Sequence, residues 1–326
     1  MEKKKIIITG GSGFIGTNLM EKIIESGDFG VMNIDIKSPR NPRHKEYWEK
    51  VDITDLKELR EIVLEYSPDY IVHLGARTDI KGNSIDGYKA NTIGVENMIE
   101  VANEVHNLRK IVLTSSMLVS KVGYKMKDIC DYMPPNAYGE SKVETENIIR
   151  SHSIKADWCI LRPTSIWGEW FDTYRDFFEM VMNGKYMHFG KKSSTKTYGY
   201  VGNVVYQIES LLFADTSDRN FEDRIFYLGD RPAYNIEDWA NEIAKESGKR
   251  IPRIPFWMIQ CAAYVGDILK MIGISFPMTS FRLKNMTTDN IIDVDPVYSI
   301  APNPPYTRAE AIQRTMQWIR NNHQKQ

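Results

Sequence analysis

Along the first 115 residues, short apolar runs alternate with stretches of helical spacing, a rhythm that predicts strands and helices in turn. Lys5–Thr9, Val31–Ile36, Tyr70–Leu74 and Ile111–Ser115 read as strands, being short, apolar and bounded by turn residues. Phe14–Ser26, Asp55–Glu65 and Ala90–Asn103 read as the helices between them. A helix from about Tyr138 to Arg150 and a strand Trp158–Leu161 continue the series. This is the βαβ pattern of an α/β protein, a doubly wound parallel sheet covered on both faces. After Arg162-Pro163 the texture changes to aromatics, glycines and loops, as in Trp167–Trp170 and Tyr186–Tyr200. The expected division is therefore residues 1–165, with a return near 197–230, and a smaller lobe from 166–196 and 231–326. Further helices are expected at Asn203–Phe213, Ile236–Ser247, Trp257–Ile272 and Arg308–Asn321. There is no repeat and no low-complexity segment.

Length and charge narrow the function classes. At 326 residues the chain exceeds the size of one ordinary core, which fits a large unit with a smaller partner. Its 42 basic and 43 acidic side chains leave a net charge of −1, without the basic footprint that nucleic-acid phosphates require. Cys130, Cys159 and Cys261 form no C-x-x-C pair, and the six histidines form no cluster, so neither a disulfide framework nor a metal site is expected. The basic start Met1 to Lys5 precedes only Ile6–Ile8, too short an apolar run for a secretory leader, and a cytoplasmic location is expected. The most apolar later stretch, Phe256 to Phe276, is interrupted by Gln260, Asp267 and Lys270. It reads as an amphipathic helix covering the smaller lobe rather than a membrane span, with contact to a membrane surface as the alternative.

Candidate chemistry begins at Thr9-Gly10-Gly11-Ser12-Gly13-Phe14-Ile15-Gly16, between the first strand and the first helix. Gly10 permits the tight turn, Gly13 admits a pyrophosphate close to the backbone, and Gly16 allows the helix to pack close to the sheet. The N–H groups and positive dipole end of that helix, from Phe14 and Ile15 onward, face the phosphates. Asp35 ends the second strand 19 residues beyond Gly16, where its carboxylate can accept from both ribose hydroxyls of the adenosine. A 2′-phosphate there meets repulsion, so NAD is favoured over NADP, although Lys37, Arg40 and Arg43 lie near in sequence.

The Thr-Gly-x-x-Gly-x-x-Gly spacing resembles the extended short-chain dehydrogenase/reductases, and further motifs extend the likeness along nearly the whole chain. Asp52-Ile53 is similar to the family's adenine-binding pair, and Leu74-Gly75-Ala76 to the loop under the nicotinamide ribose. Asn91-Thr92-Ile93-Gly94-Val95-Glu96-Asn97, Leu161–Gly168 (with Pro163) and Tyr200–Val204 resemble the later signatures of the nucleotide-sugar epimerases and dehydratases. The resemblance implies a Rossmann-type sheet, bound NAD, a homodimer formed through the helices of Asn91 and Tyr138, and a nucleotide-sugar substrate. Its chemical core is Tyr138-Gly139-Glu140-Ser141-Lys142. Of 17 tyrosines, Tyr138 alone has a lysine four residues later, a spacing that puts both on one helix face. Tyr138 is expected to exchange the proton of the reacting hydroxyl or ketone, its phenol lowered by the Lys142 ammonium, while Lys142 also anchors the nicotinamide ribose. Ser116 is expected to hydrogen-bond the reacting oxygen. Asn91 reads as an organiser of nearby loops.

The dehydratases of this family carry acidic residues after the serine or threonine, whereas here Met117 and Leu118 follow Ser116. Aliphatic side chains cannot shuttle protons, so elimination is disfavoured and reversible hydride transfer remains. C4 epimerisation of a nucleotide sugar is the leading expectation, with NAD(P)H-dependent reduction of a 4-keto sugar nucleotide as the alternative. A sterol- or flavonoid-type hydroxy dehydrogenase and a non-catalytic NAD-binding protein are the remaining readings. Thr78, Thr164 and Ser165 are candidate sugar contacts, and Lys196 stands where the epimerases place a diphosphate-binding arginine. A lysine lacks the bidentate fork, and Asn203 replaces the signature's usual aspartate.

Overall fold

The structure is a computed structural model; it describes residues 3–171, 173–190, 193–271, 273, 274, 276 and 278–323. The chain forms two compact units. The first comprises Met1–Ile166, Gly199–Gly229 and Asp293–Tyr306, and the second Trp167–Tyr198, Asp230–Ile292 and Thr307–Gln326. The return of Asp293–Tyr306 to the first unit differs from the expected division. Its short helix Asp295–Tyr298 buries Val297 and Tyr298, and Asn203 bonds the backbone of Tyr306 through both its amide nitrogen and oxygen at 3.0 Å.

The first unit is a seven-stranded parallel sheet. Its strands are β1 (Lys5–Thr9), β2 (Gly30–Ile34), β3 (Trp48–Glu49), β4 (Tyr70–His73), β5 (Lys110–Thr114), β6 (Asp157–Pro163) and β7 (Ile225–Leu228). They lie in the order β7-β6-β5-β4-β1-β2-β3. The central strands bury nearly every side chain, as Ile6–Ile8, Ile71–Val72 and Ile111–Leu113 show, because helices cover both faces. The chain runs outward from β1 to β3, then restarts at β4 on the other side of β1. That reversal opens a crevice at the carboxyl ends of β1 and β4, the place where doubly wound sheets bind ligands.

Helices α1 (Phe14–Ser26), α2 (Leu56–Tyr66), α3 (Ile93–Ala102) and α4 (Ala137–Ser151) connect these strands. Asp55, expected as the first residue of α2, is instead its cap and accepts from the N–H groups of Lys57 and Glu58. The expected helix Ala90–Asn103 is broken. A 3-10 turn Ile85–Asn91 precedes α3, and Thr92 between them is non-helical. The Asn91 carbonyl accepts from the Thr145 hydroxyl at 2.6 Å, so it is engaged by α4.

The second unit has an aromatic core. Trp239 is buried with Phe177 and Tyr198 at 4.9 Å and Trp167 at 5.2 Å between ring centroids. The helix Phe256–Met271 does not cover this unit in the way expected; the last residue of that expected helix, Ile272, lies outside the described residues. Its buried residues are Ala263 and Gly266, while Trp257, Tyr264, Ile268 and Met271 are exposed. Packing through small side chains has left the large apolar ones facing solvent.

Candidate active site

Thr9 and His73 end β1 and β4 and meet across the crevice. The Thr9 hydroxyl bonds His73 Nδ1 at 2.9 Å and accepts from the Gly75 N–H at 3.0 Å. The two loops that leave these strands are thereby fastened together. Gly10 has φ +71°, and a Cβ on it would lie 2.7 Å from the Gly75 nitrogen, so no larger residue fits that approach. A Cβ on Gly16 would lie 2.1 Å from the Gly10 carbonyl oxygen. Gly16 therefore lets the first turn of α1 close on the glycine loop itself, rather than on the sheet as expected.

Helix α1 begins at Gly13 without a side-chain cap. An uncapped helix start beneath a backbone-only loop suits a pyrophosphate, whose oxygens can take the place of a capping side chain. Asp35 follows β2, and its carboxylate accepts from Ser12 N–H at 3.1 Å and Lys37 N–H at 2.9 Å. Partial burial raises its pKa above the ordinary carboxylate value, against the pull of those backbone donors. Arg40 also reaches the loop, donating from Nε to the Ser12 carbonyl at 3.3 Å. Asp52 is exposed and accepts from the Thr54 backbone and hydroxyl, while the carbonyl of Ile53 accepts from Asn97 Nδ2 at 3.0 Å. The two asparagines of the Asn-x-x-Gly-x-x-Asn stretch thus hold different loops.

Asn91, fully buried, accepts from Arg77 N–H at 2.8 Å and donates to the Arg77 carbonyl at 3.1 Å and to Ser141 Oγ at 2.9 Å. Ser141 in turn donates to the Tyr138 carbonyl. The loop after β4, including Leu74, Gly75, Ala76 and Thr78, is thereby tied to the first turn of α4.

Asn136 caps α4 by accepting from Gly139 N–H at 2.9 Å. A Cβ on Gly139 would stand 2.4 Å from the Leu118 carbonyl oxygen, so this glycine brings the turn after Ser116 against the start of α4. Ser116 accepts from Leu118 N–H at 3.1 Å, and its hydroxyl is close enough to Tyr138 to act on the phenol. Burial raises the Tyr138 phenol above its ordinary value, opposed by the nearby Ser116 hydroxyl. The expected depression by Lys142 is not among the causes that set this balance. Lys142 is itself buried and donates to the Thr114 carbonyl at 2.8 Å; burial lowers it to about 8. Tyr138, Ser116 and Lys142 are therefore gathered at the carboxyl end of β5.

One turn beyond Lys142 lies a group that sequence reasoning missed. Glu146 and Arg162 form a fully buried ion pair, with Arg162 Nε donating at 2.7 Å and Nη2 at 2.6 Å. Ser115 and Tyr132 also donate to the Glu146 carboxylate, and Arg162 reaches Tyr227 and the Ile129 carbonyl. Met117 and Leu118 lie partly buried beside Ser116, with Leu118 packed on the Tyr88, Ala137 and Tyr138 cluster.

The remaining candidates are less uniform. Pro163 ends β6, and Thr164 spends its hydroxyl on the Leu228 carbonyl at 2.8 Å. Ser165 is partly buried, and Thr78 is exposed. Lys196 belongs to the second unit, where it donates to the Asn285 carbonyl and burial lowers its pKa.

Residues 6–215 match the NAD dependent epimerase/dehydratase family. The chain belongs to that family. Among its relatives is the N-acetyl-alpha-D-glucosaminyl-diphospho-ditrans,octacis-undecaprenol 4-epimerase of Escherichia coli O157:H7, 27% identical over 322 residues, which are 96% of this chain and 94% of that one. A 3 beta-hydroxysteroid dehydrogenase/Delta 5-->4-isomerase of Mycobacterium tuberculosis is 25% identical over 270 residues, 78% of this chain and 72% of its own. The fold is shared with a UDP-glucose 4-epimerase of Thermotoga maritima, solved with UDP-glucose, at a TM-score of 0.74 and 20% identity over 98% of this chain and 99% of that one.

Proposed function

We propose that this member of the NAD dependent epimerase/dehydratase family is a C4 epimerase of a diphosphate-linked sugar, with a nucleotide sugar as the leading substrate. The observation that carries the reading is the gathering of Ser116, Tyr138 and Lys142 at the end of β5, Lys142 one helical turn beyond Tyr138, with only the aliphatic Met117 and Leu118 after the serine. These residues can bind an alcohol or ketone oxygen and exchange its proton, but supply no second acid or base for elimination.

Bound NAD would supply reversible hydride acceptance and return. Gly10, Gly13 and Gly16 with the start of α1 would hold its pyrophosphate, Asp35 its adenosine ribose, and Asp52 and Ile53 its adenine side. Ser116 would donate to the C4 oxygen and hold it against Tyr138. Tyr138 would take the C4 hydroxyl proton and return it after the sugar has turned its other face. Lys142, fixed by the Thr114 carbonyl, would stabilise the phenolate and orient the nicotinamide ribose.

Incubation of purified protein with UDP-, GDP-, CDP- and dTDP-sugars, and with a polyprenyl-diphosphate sugar, tests this directly. Stereochemical inversion at C4 without net change in NADH supports it. Consumption of NADH on 4-keto sugars would select the reductase instead, and turnover of hydroxysteroids alone would select the dehydrogenase represented by the mycobacterial relative. Tyr138→Phe should bind NAD as the parent does while losing turnover by about 100-fold or more. Full turnover in that variant would remove Tyr138 from the mechanism.

A further inference from the structure

We propose that the solvent-facing side of helix Phe256–Met271, with the helix Ser280–Thr287 that comes after it, is a docking surface for an anionic lipid bilayer. Trp257, Cys261, Tyr264, Ile268 and Met271 recur at intervals of four and three, which places them in one stripe along a helix. All five are exposed, and Met271 is 86% and Trp257 63% accessible. Val265, Ile274 and Phe281 widen the exposed area, Phe281 being 72% accessible. The opposite side of the helix is small. A Cβ on Gly266 would lie 1.7 Å from the Met278 carbonyl oxygen, so the returning chain sits directly on that face. The helix thus contributes little apolar surface to its own unit and presents most of it outward, the reverse of an ordinary surface helix.

Charge selects the occupant. From Lys249 to Thr288 there are six basic residues, Lys249, Arg250, Arg253, Lys270, Arg282 and Lys284, against the single acidic Asp267. All six are exposed, and Arg253 is paired with Glu237. Asp267 spends its carboxylate on the Ser280 N–H at 3.1 Å, fastening the second helix to the first. An apolar stripe that carries Trp257 and Tyr264, in a stretch rich in exposed basic residues, fits a helix lying in the plane of an anionic membrane surface. Sixteen residues span about 24 Å, and no helix among the described residues is long and apolar enough to cross a membrane, so the contact is with one leaflet. A second copy of this chain fits less well, since pairing the face with itself brings basic residues together. The surface stands on this face alone, whatever reaction the protein catalyses.

Flotation of the full-length protein with phosphatidylglycerol-containing vesicles, compared with pure phosphatidylcholine, is the test. The protein should float with the anionic vesicles and be released by high salt. The variants Trp257→Ser/Ile268→Ser and Lys270→Glu/Lys284→Glu should each weaken binding about tenfold or more, with thermal midpoints unchanged because these side chains are exposed. No flotation with either vesicle overturns the proposal, as does a dimer in solution that the Trp257→Ser/Ile268→Ser change dissociates without any vesicle binding.

Discussion

Two residues next to the proposed chemistry make predictions of their own. Gly139 lies between Tyr138 and the rest of α4, and the Leu118 carbonyl occupies the space its side chain would need. Gly139→Ala must push the Ser116 turn away from Tyr138. A displacement on that scale should lower kcat by about 10–100-fold, with NAD affinity close to the parent's, because the glycine loop is untouched. An unchanged kcat would show that Ser116 is placed by something else. His73 is the second case. Burial, helped by Lys142, lowers its pKa from 6.5 to about 3, so the folded protein keeps it neutral. Below the unfolded value the unfolded chain binds a proton that the folded chain refuses. The stability linked to His73 is thus complete above pH 6.5 and drains away as pH falls toward about 3. Urea unfolding of parent and His73→Gln at about pH 7 and about pH 5 should show the parent's advantage shrinking by up to about 1.4 kcal/mol per pH unit.

At the scale of elements, the buried Glu146–Arg162 pair joins α4 to β6 directly behind Lys142. Arg162→Met would leave the Glu146 carboxylate buried with only Ser115 and Tyr132 as donors. Denaturant unfolding should register a loss of about 3–5 kcal/mol, and the double change with Glu146→Gln should recover part of it. Equal losses in the single and double variants would mean that the pair is not the source of the effect. This pair also marks where sequence reasoning stops. The five strands and the helices of the βαβ series announce themselves locally, through apolar runs and the glycine loop, and the Tyr138–Lys142 pair through helical spacing. Glu146 and Arg162 are an ordinary helix glutamate and strand arginine until folding brings β6 beside α4. Likewise β7, Ile225–Leu228, lies outside the βαβ series and is recognised as a strand of this sheet by its pairing with β6. The break at Thr92 depends on Thr145 reaching the Asn91 carbonyl, a partner 54 residues away. The apolar pattern of Phe256–Met271 was visible, but periodicity could not say which side would be covered.

At the scale of the whole molecule, the first unit is assembled from three separate segments and the second from three more. A fragment ending at Ile166 holds six of the seven strands and lacks β7, helix Val201–Phe213 and the Asp293–Tyr306 segment. It should show no cooperative thermal transition, as followed by circular dichroism, whereas the full chain should. A sharp transition in the fragment would mean that the later segments are accessories rather than parts of one core. The same order governs the chain as it is made. When β6 leaves the ribosome its partner β7 has yet to be synthesised, and Trp167–Tyr198 must come first. Throughout that interval the nascent chain carries an open edge of parallel sheet, the kind of surface that invites pairing with a neighbour. The span between Pro163 and Ile225 is accordingly the stretch of translation through which that edge waits for its partner.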